Sequence, residues 1–134
     1  VEAALGKRSH VGVYGTDYET PDGTGVRDYI HVSDLAAAHV LALEALMADP
    51  SRNHLLNCGY GRGFSVMEVL DAVDRVTNNP VTRILSPRRA GDPGKLISDN
   101  GAILRTFPWT PHYADLDQIV THALAWERKL GERA

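Results

Sequence analysis

The sequence predicts an α/β fold, with strands alternating with helices along a chain of 134 residues. Three observations carry that reading. Short apolar runs recur between helical stretches, and glycine and proline punctuate the joins. Hydrophobic residues make up 43% of the chain, enough for a core and too many for a disordered segment. The length fits one domain or a piece of one, and no internal repeat, low-complexity stretch or linker divides residues 1–134.

The opening run Val1-Glu2-Ala3-Ala4-Leu5 is helix-like and closes at Gly6, a C-cap residue. A helix tail at the first position, with no initiator Met, reads as a fragment of an element begun upstream. Val11–Tyr14 reads as a strand with Val11 and Val13 on one face. Pro21, Asp22, Gly23 and Gly25 then break residues 15–25 into turns. A second strand is expected at 29–32, leading into a helix over 33–47 that Asp49-Pro50 stops. Between Leu35 and Met47 only His39 and Glu44 are polar, so this helix requires cover on more than one side.

A third strand is expected at 54–57, closed by Gly59, Gly61 and Gly63. Ser65-Val66-Met67-Glu68 has the form of a capping box, in which the Ser hydroxyl serves one free amide and the Glu reaches back to another. Val66, Val69, Leu70, Val73 and Val76 then give that helix one apolar face, with Asp71, Asp74 and Arg75 largely on the other. A strand at 81–85 follows Pro80, and the basic run Pro87-Arg88-Arg89 and a turn at Gly91-Asp92-Pro93-Gly94 come next. A short helix is expected at 99–107, and a last one from the cap-like Asp115 to about 129.

Several function classes are disfavoured. A net charge of -3 and a pI near 6.0 do not suit a nucleic-acid binder, whose affinity rests on basic surface. No apolar run approaches the roughly 20 residues of a membrane span, and no basic-then-apolar leader is visible. Cys58 is alone, which excludes an intrachain disulfide, fits a reducing cytoplasm and reads as a small buried filler. The six histidines include no H-x-x-x-H pair, so no metal site is expected. Nor is there a G-x-S-x-G elbow. Gly59-Tyr60-Gly61-Arg62-Gly63 follows an expected strand and precedes a helix, as a dinucleotide fingerprint would. Its spacing fails, because Phe64 stands where a glycine is required and no ribose-binding acid lies near 81–83. No cofactor is expected on this chain. Arg27, after a glycine-rich turn, and Arg88-Arg89 allow two readings: surface ion pairs, or a grip on a diphosphate by planar guanidinium forks.

Longer strings carry more. Tyr14-Gly15-Thr16-Asp17-Tyr18, then Asp22 through Val32, then Asp34-Leu35, resemble the G-x-D-Y…DGTxVRDYIHVxDLAxxH signature of the UDP-glucose 4-epimerases. The likeness continues through Asn57, Gly59, Gly61, Gly63, Ser65, Val66, Glu68 and Val69, through Pro87 to Asp92, and through Trp109-Thr110-Pro111 to the last helix. Nucleotide-sugar dehydratases and decarboxylases, the related alternative, lack the DGTG lead. Arg88 to Pro93 and Ala125-Trp126-Glu127 look most like alpha-proteobacterial members, some of which feed exopolysaccharide synthesis.

The resemblance implies the carboxyl-terminal, substrate-binding portion of an extended short-chain dehydrogenase/reductase, without the NAD-binding Rossmann half. The family interconverts UDP-glucose and UDP-galactose using NAD. Its tyrosine base and glycine-rich loop lie in the half that is missing here, so NAD would be bound by that half and the chain alone would be inactive. A non-catalytic nucleotide-sugar-binding module is the other reading. By the same resemblance the substrate contacts are Gly12, Val13 and Tyr14 against the uracil, Arg27 and Arg89 on the diphosphate, and Asp92 at the ribose, with Ala90 and Gly91 between them. Leu96 stands where some members carry a substrate-contacting tyrosine. The implied partners are the UDP-sugar and the NAD-binding half, and a homo-oligomer is compatible with both; no nucleic acid or membrane is expected. With its apolar 33–47 helix uncovered, the chain alone is expected to self-associate or stay partly molten.

Overall fold

A computed structural model describes residues 1–132. Its elements run β1 (Val11–Tyr14), β2 (Val26–Arg27), α1 (Val32–Ala48), β3 (Phe64–Ser65), α2 (Val66–Thr77), β4 (Arg83–Ser86), β5 (Lys95–Leu96), α3 (Gly101–Thr106) and α4 (Leu116–Gly131). The α/β class is the one the sequence predicts. β1 and β4 pair in parallel, with Val11 opposite Arg83 and Tyr14 opposite Ser86. β2 lies between β3, antiparallel to it, and β5, parallel to it. Residues 87–94 therefore lead from β4 in one sheet to β5 in the other, and this connection brings the ends of the two sheets together.

One apolar cluster lies between β1 and two helices. Val13, with no exposed surface, meets Leu70 and Val73 of α2 and Leu116, Val120 and Leu124 of α4. Full burial of such a side chain contributes about 1.5–3 kcal/mol. The capping box of α2 is present: Ser65 Oγ accepts the Glu68 amide at 3.0 Å, and the Ser65 amide donates to Glu68 Oε2 at 2.6 Å. Arg83 of β4 ties the sheet to α2 through Asp71 at 2.9 Å and Asp74 at 2.5 Å. Burial would lower the Arg83 pKa, but the two carboxylates outweigh it and raise it. Asp115 caps α4, accepting the Gln118 amide at 2.9 Å.

The second cluster packs Ala38, Leu41 and Ala45 of α1 against Ile103, Phe107 and Trp109, with Leu56 and Cys58 at its edge. Cys58 is half-buried, and burial, followed by the Asp28 and Asp34 charges, pushes its thiol up, as suits a filler. The described residues cover α1 on this side alone. Val32 and Met47 are each 74% exposed, and Val40 and Leu43 are also exposed.

Several expected elements differ. Residues 29–32 do not form a strand; the ladder forms earlier, at β2, and His31 becomes the N-cap of α1, its Nδ1 accepting the Ser33 amide at 3.0 Å. The His31 amide goes to the Tyr60 hydroxyl at 3.1 Å, where a strand would need a backbone partner. Residues 54–57 pair with no strand among the described residues, and Leu55 is 98% exposed. Residues 1–5 form turns in place of a helix, although Gly6 takes the left-handed φ of 72° expected of a C-cap. The strand expected at 81–85 pairs over Arg83–Ser86, and the helix expected at 99–107 is Gly101–Thr106.

Candidate functional site

The site begins at the free edge of β1. The Val11 amide donates to Thr82 O and the Gly15 amide to Ser86 O, each at 2.8 Å. Backbone groups alternate sides along a strand, so those of Gly12 and Tyr14 face the opposite edge, where no strand pairs among the described residues. Val13 points its side chain into the core, and by the same alternation its backbone groups face β4. The Tyr14 ring lies back over residue 12, where a Cβ would sit 3.0 Å from it; glycine makes that seat. Arg89 stacks on the same ring with its guanidinium carbon 3.7 Å from the centroid, and it makes no ion pair among the described residues.

The loop carrying Arg89 is held by its neighbour. Arg88 stacks on Tyr18 at 4.1 Å and donates to Asp17 Oδ1 at 2.7 Å and to the Asp17 carbonyl. The Arg88 bond keeps the Asp17 carboxyl below its ordinary range. Gly91, at φ 81°, turns the chain so that the Asp92 amide donates to Arg89 O at 3.3 Å. The Tyr18 hydroxyl donates to Asp92 O at 3.4 Å. From the second sheet, Arg27 Nη1 donates to Val26 O at 2.9 Å and Nη2 lies 3.7 Å from Asp92 Oδ1. Tyr14, Arg89, the exposed turn of Ala90 and Gly91, Asp92 and Arg27 are thus linked by one loop. Of the two arginine readings, Arg88 takes the ion-pair role, Arg27 has a long contact to Asp92, and Arg89 has no carboxylate partner among the described residues. Leu96 lies opposite Arg27 in the ladder, 61% exposed, beside a cavity of about 480 Å³ that Asn57 and Ser98 also line.

Two carboxylates escaped sequence reasoning. Asp28 Oδ1 accepts the Tyr60 amide at 3.0 Å, and Oδ2 accepts the amides of Gly61 at 3.0 Å and Ser98 at 3.3 Å. Asp34, 2% exposed, accepts the amides of His112 and Tyr113, each at 2.9 Å, and the Tyr60 hydroxyl at 2.6 Å. Burial pushes the Asp34 carboxyl up, but these bonds outweigh it and hold it below the ordinary range. Burial and the bond to Asp34 push the Tyr60 hydroxyl up to about 12. His31 completes this clasp, stacked on Tyr113 at 4.4 Å with its Nε2 2.9 Å from His122 Nδ1. The signal that could have found Asp34 is a carboxylate in a largely apolar helix, where a buried charge needs hydrogen-bond donors.

Asp28 also decides the fate of the glycine-rich segment 59–63. The amides that would cradle a dinucleotide phosphate are taken by its carboxylate. A Cβ at Gly59 would sit 2.5 Å from Asp28 Oδ2, and one at Gly63 2.5 Å from Val26 Cγ1. These glycines serve contacts within the protein, and the segment does not fit a nicotinamide dinucleotide. Among the described residues no cluster of His, Cys and carboxylates could hold a metal ion, and no helix is long and apolar enough to cross a membrane.

Residues 2–59 match the model of the NAD dependent epimerase/dehydratase family. A UDP-glucose 4-epimerase of Azospirillum brasilense is 49% identical over 129 residues, 96% of this chain and 37% of that protein. Among solved structures, UDP-glucose-4-epimerase from Stenotrophomonas maltophila, with bound NAD and formylated UDP-arabinopyranose, superposes with a TM-score of 0.91 at 41% identity, over 99% of this chain and 39% of that one. The UDP-Glc/GlcNAc 4-epimerase of Campylobacter jejuni gives a TM-score of 0.84 at 44% identity, over 96% and 38%. The chain spans less than two fifths of the length of each of these three proteins.

Proposed function

We propose that this chain, a homologue of UDP-glucose 4-epimerases over nearly all of its length, supplies the nucleotide-sugar side of such an enzyme. UDP lies along the line from β1 to β2. The free edge at Gly12 and Tyr14 presents amides and carbonyls in one row, which suits the donor and acceptor row of a uracil. Arg89 and Arg27 take the diphosphate, where guanidinium forks make charge-assisted bonds of fixed geometry. Asp92 accepts from a ribose hydroxyl, and the turn at Ala90 and Gly91 lets the backbone approach. The sugars are UDP-glucose and UDP-galactose, the pair that the sequence resemblance implies.

NAD is held by the part of the relatives' length that this chain does not span, and residues 1–134 act as one unit beside it. The role of the chain is to bind and orient the substrate, and alone it carries no turnover. The exposed apolar side of α1 and the segment 54–57, which pairs with no strand among the described residues, are where that other part docks.

The single observation that carries this reading is Arg89, stacked on Tyr14 and free of any carboxylate among the described residues, on the same loop as Asp92, whose Oδ1 lies 3.7 Å from Arg27 of β2. Calorimetry of the intact polypeptide with UDP tests it. Arg27→Ala and Arg89→Ala should each weaken binding by about 1.5–3 kcal/mol, roughly tenfold or more. Unchanged affinity in both variants returns the arginines to ordinary surface roles.

A further inference from the structure

We infer that Asp28 is a positioning residue for Arg27, and through Arg27 for a bound diphosphate; the inference rests on the diphosphate reading above. β2 is only two residues long, so its backbone ladder gives Arg27 little fixity. Directly after Arg27, the Asp28 carboxylate takes up the slack. Its two oxygens accept amides from two segments: Tyr60 and Gly61 on the approach to β3, and Ser98 just beyond β5. These segments belong to the two strands that flank β2. One carboxylate thus ties both neighbours to the end of the strand that carries the arginine. Bonds from amides to a carboxylate are about twice as strong as neutral ones.

The other side of Arg27 is shaped as well. A Cβ at position 25 would sit 3.2 Å from Arg27 Nη1, so the guanidinium folds back over Gly25 and is steadied by the Val26 carbonyl. The head is therefore placed by Gly25 and Val26, and the root by Asp28. A guanidinium fork recognises phosphate oxygens by its geometry, so a displaced root misdirects both N–H pairs. Asp28 needs no contact with ligand to do this, because its three amide bonds already occupy both oxygens.

A double-mutant cycle on UDP affinity in the intact polypeptide tests the inference, using Arg27→Ala, Asp28→Asn and the pair together. Asn keeps one acceptor oxygen but sets an NH2 group against an amide donor, so it loosens the root more gently than Asp28→Ala, which risks misfolding. Asp28→Asn should lower UDP affinity by about threefold to tenfold and lower it no further once Arg27 is Ala, because residues acting through one another do not add. Wild-type affinity in Asp28→Asn overturns the inference. So does a loss that adds in full to that of Arg27→Ala, which would mark a purely structural role. If Arg27→Ala itself binds UDP like the wild type, the diphosphate reading fails first and takes the inference with it.

Discussion

Tyr14 and Arg89 meet ring to cation from different elements, β1 and the loop after β4. On the reading above, the ring holds the guanidinium level with the diphosphate. Tyr14→Ala should therefore weaken UDP binding by about 0.5–1 kcal/mol, the scale of an exposed cation–π contact, while Tyr14→Phe keeps the ring and the affinity. Calorimetry on the two variants reads this directly; an equal loss in both would assign the effect to the hydroxyl. At this scale the sequence shows which residues form motifs but not which of them touch. Arg88 and Arg89 are neighbours of one type, yet one is bound to Asp17 and the other stacks on Tyr14 with no carboxylate among the described residues. Nothing local distinguishes them, because their partners lie more than 70 residues away in the chain. The partners of Asp28 and Asp34 were unreadable for the same reason, since their amide donors come from distant loops.

α1 shows what an element reveals in sequence and what it hides. Its length and apolar character are legible, but its start depends on His31 and on the clasp at Asp34. Replacing Asp34 by Ala leaves the His112 and Tyr113 amides without an acceptor and the Tyr60 hydroxyl with only the Tyr113 carbonyl at 3.2 Å, and should destabilise the fold by about 3 kcal/mol. The same group makes the fold acid-sensitive. Asp34 and Asp22 are both held below the ordinary carboxylate range, against burial, the latter by bonds from Ser65 and Thr24. Their stabilisation is complete above the unfolded value of about 3.9 and is lost as pH falls through the lower folded values. Thermal melts should decline from pH 5 downward, and Asp34→Asn should flatten that decline; an unchanged slope would place the acid sensitivity elsewhere. Helices with caps, α2 and α4, were legible because Ser65-Glu68 and Asp115-Gln118 act within one turn. β2, β3 and β5 were not, since two residues cannot display a period-2 pattern.

Among the described residues, two apolar clusters are buried and the outer face of α1 is open. Val32, Val40, Leu43 and Met47 on α1, and Leu55 nearby in the chain, remain exposed. Side chains worth about 1.5–3 kcal/mol each when buried are large against the roughly 5–15 kcal/mol of a stable domain. On the proposed reading that a further part docks there, the chain by itself should self-associate through this face. Sedimentation should show a concentration-dependent oligomer; a monomer that binds no hydrophobic dye would contradict it. The α/β class could be read from short apolar runs alternating with helical stretches, whereas the open face could only be suspected from the shortage of polar residues in 35–47.

The central claim is that the line from Tyr14 to Arg27 holds a nucleoside diphosphate. The most direct test is a calorimetric titration of the intact polypeptide with UDP and, separately, with uridine. If Arg27 and Arg89 grip the diphosphate, UDP should bind at least about tenfold more tightly than uridine, a difference of about 1.4 kcal/mol or more. Equal affinity for the two, or no binding of UDP, would contradict the account.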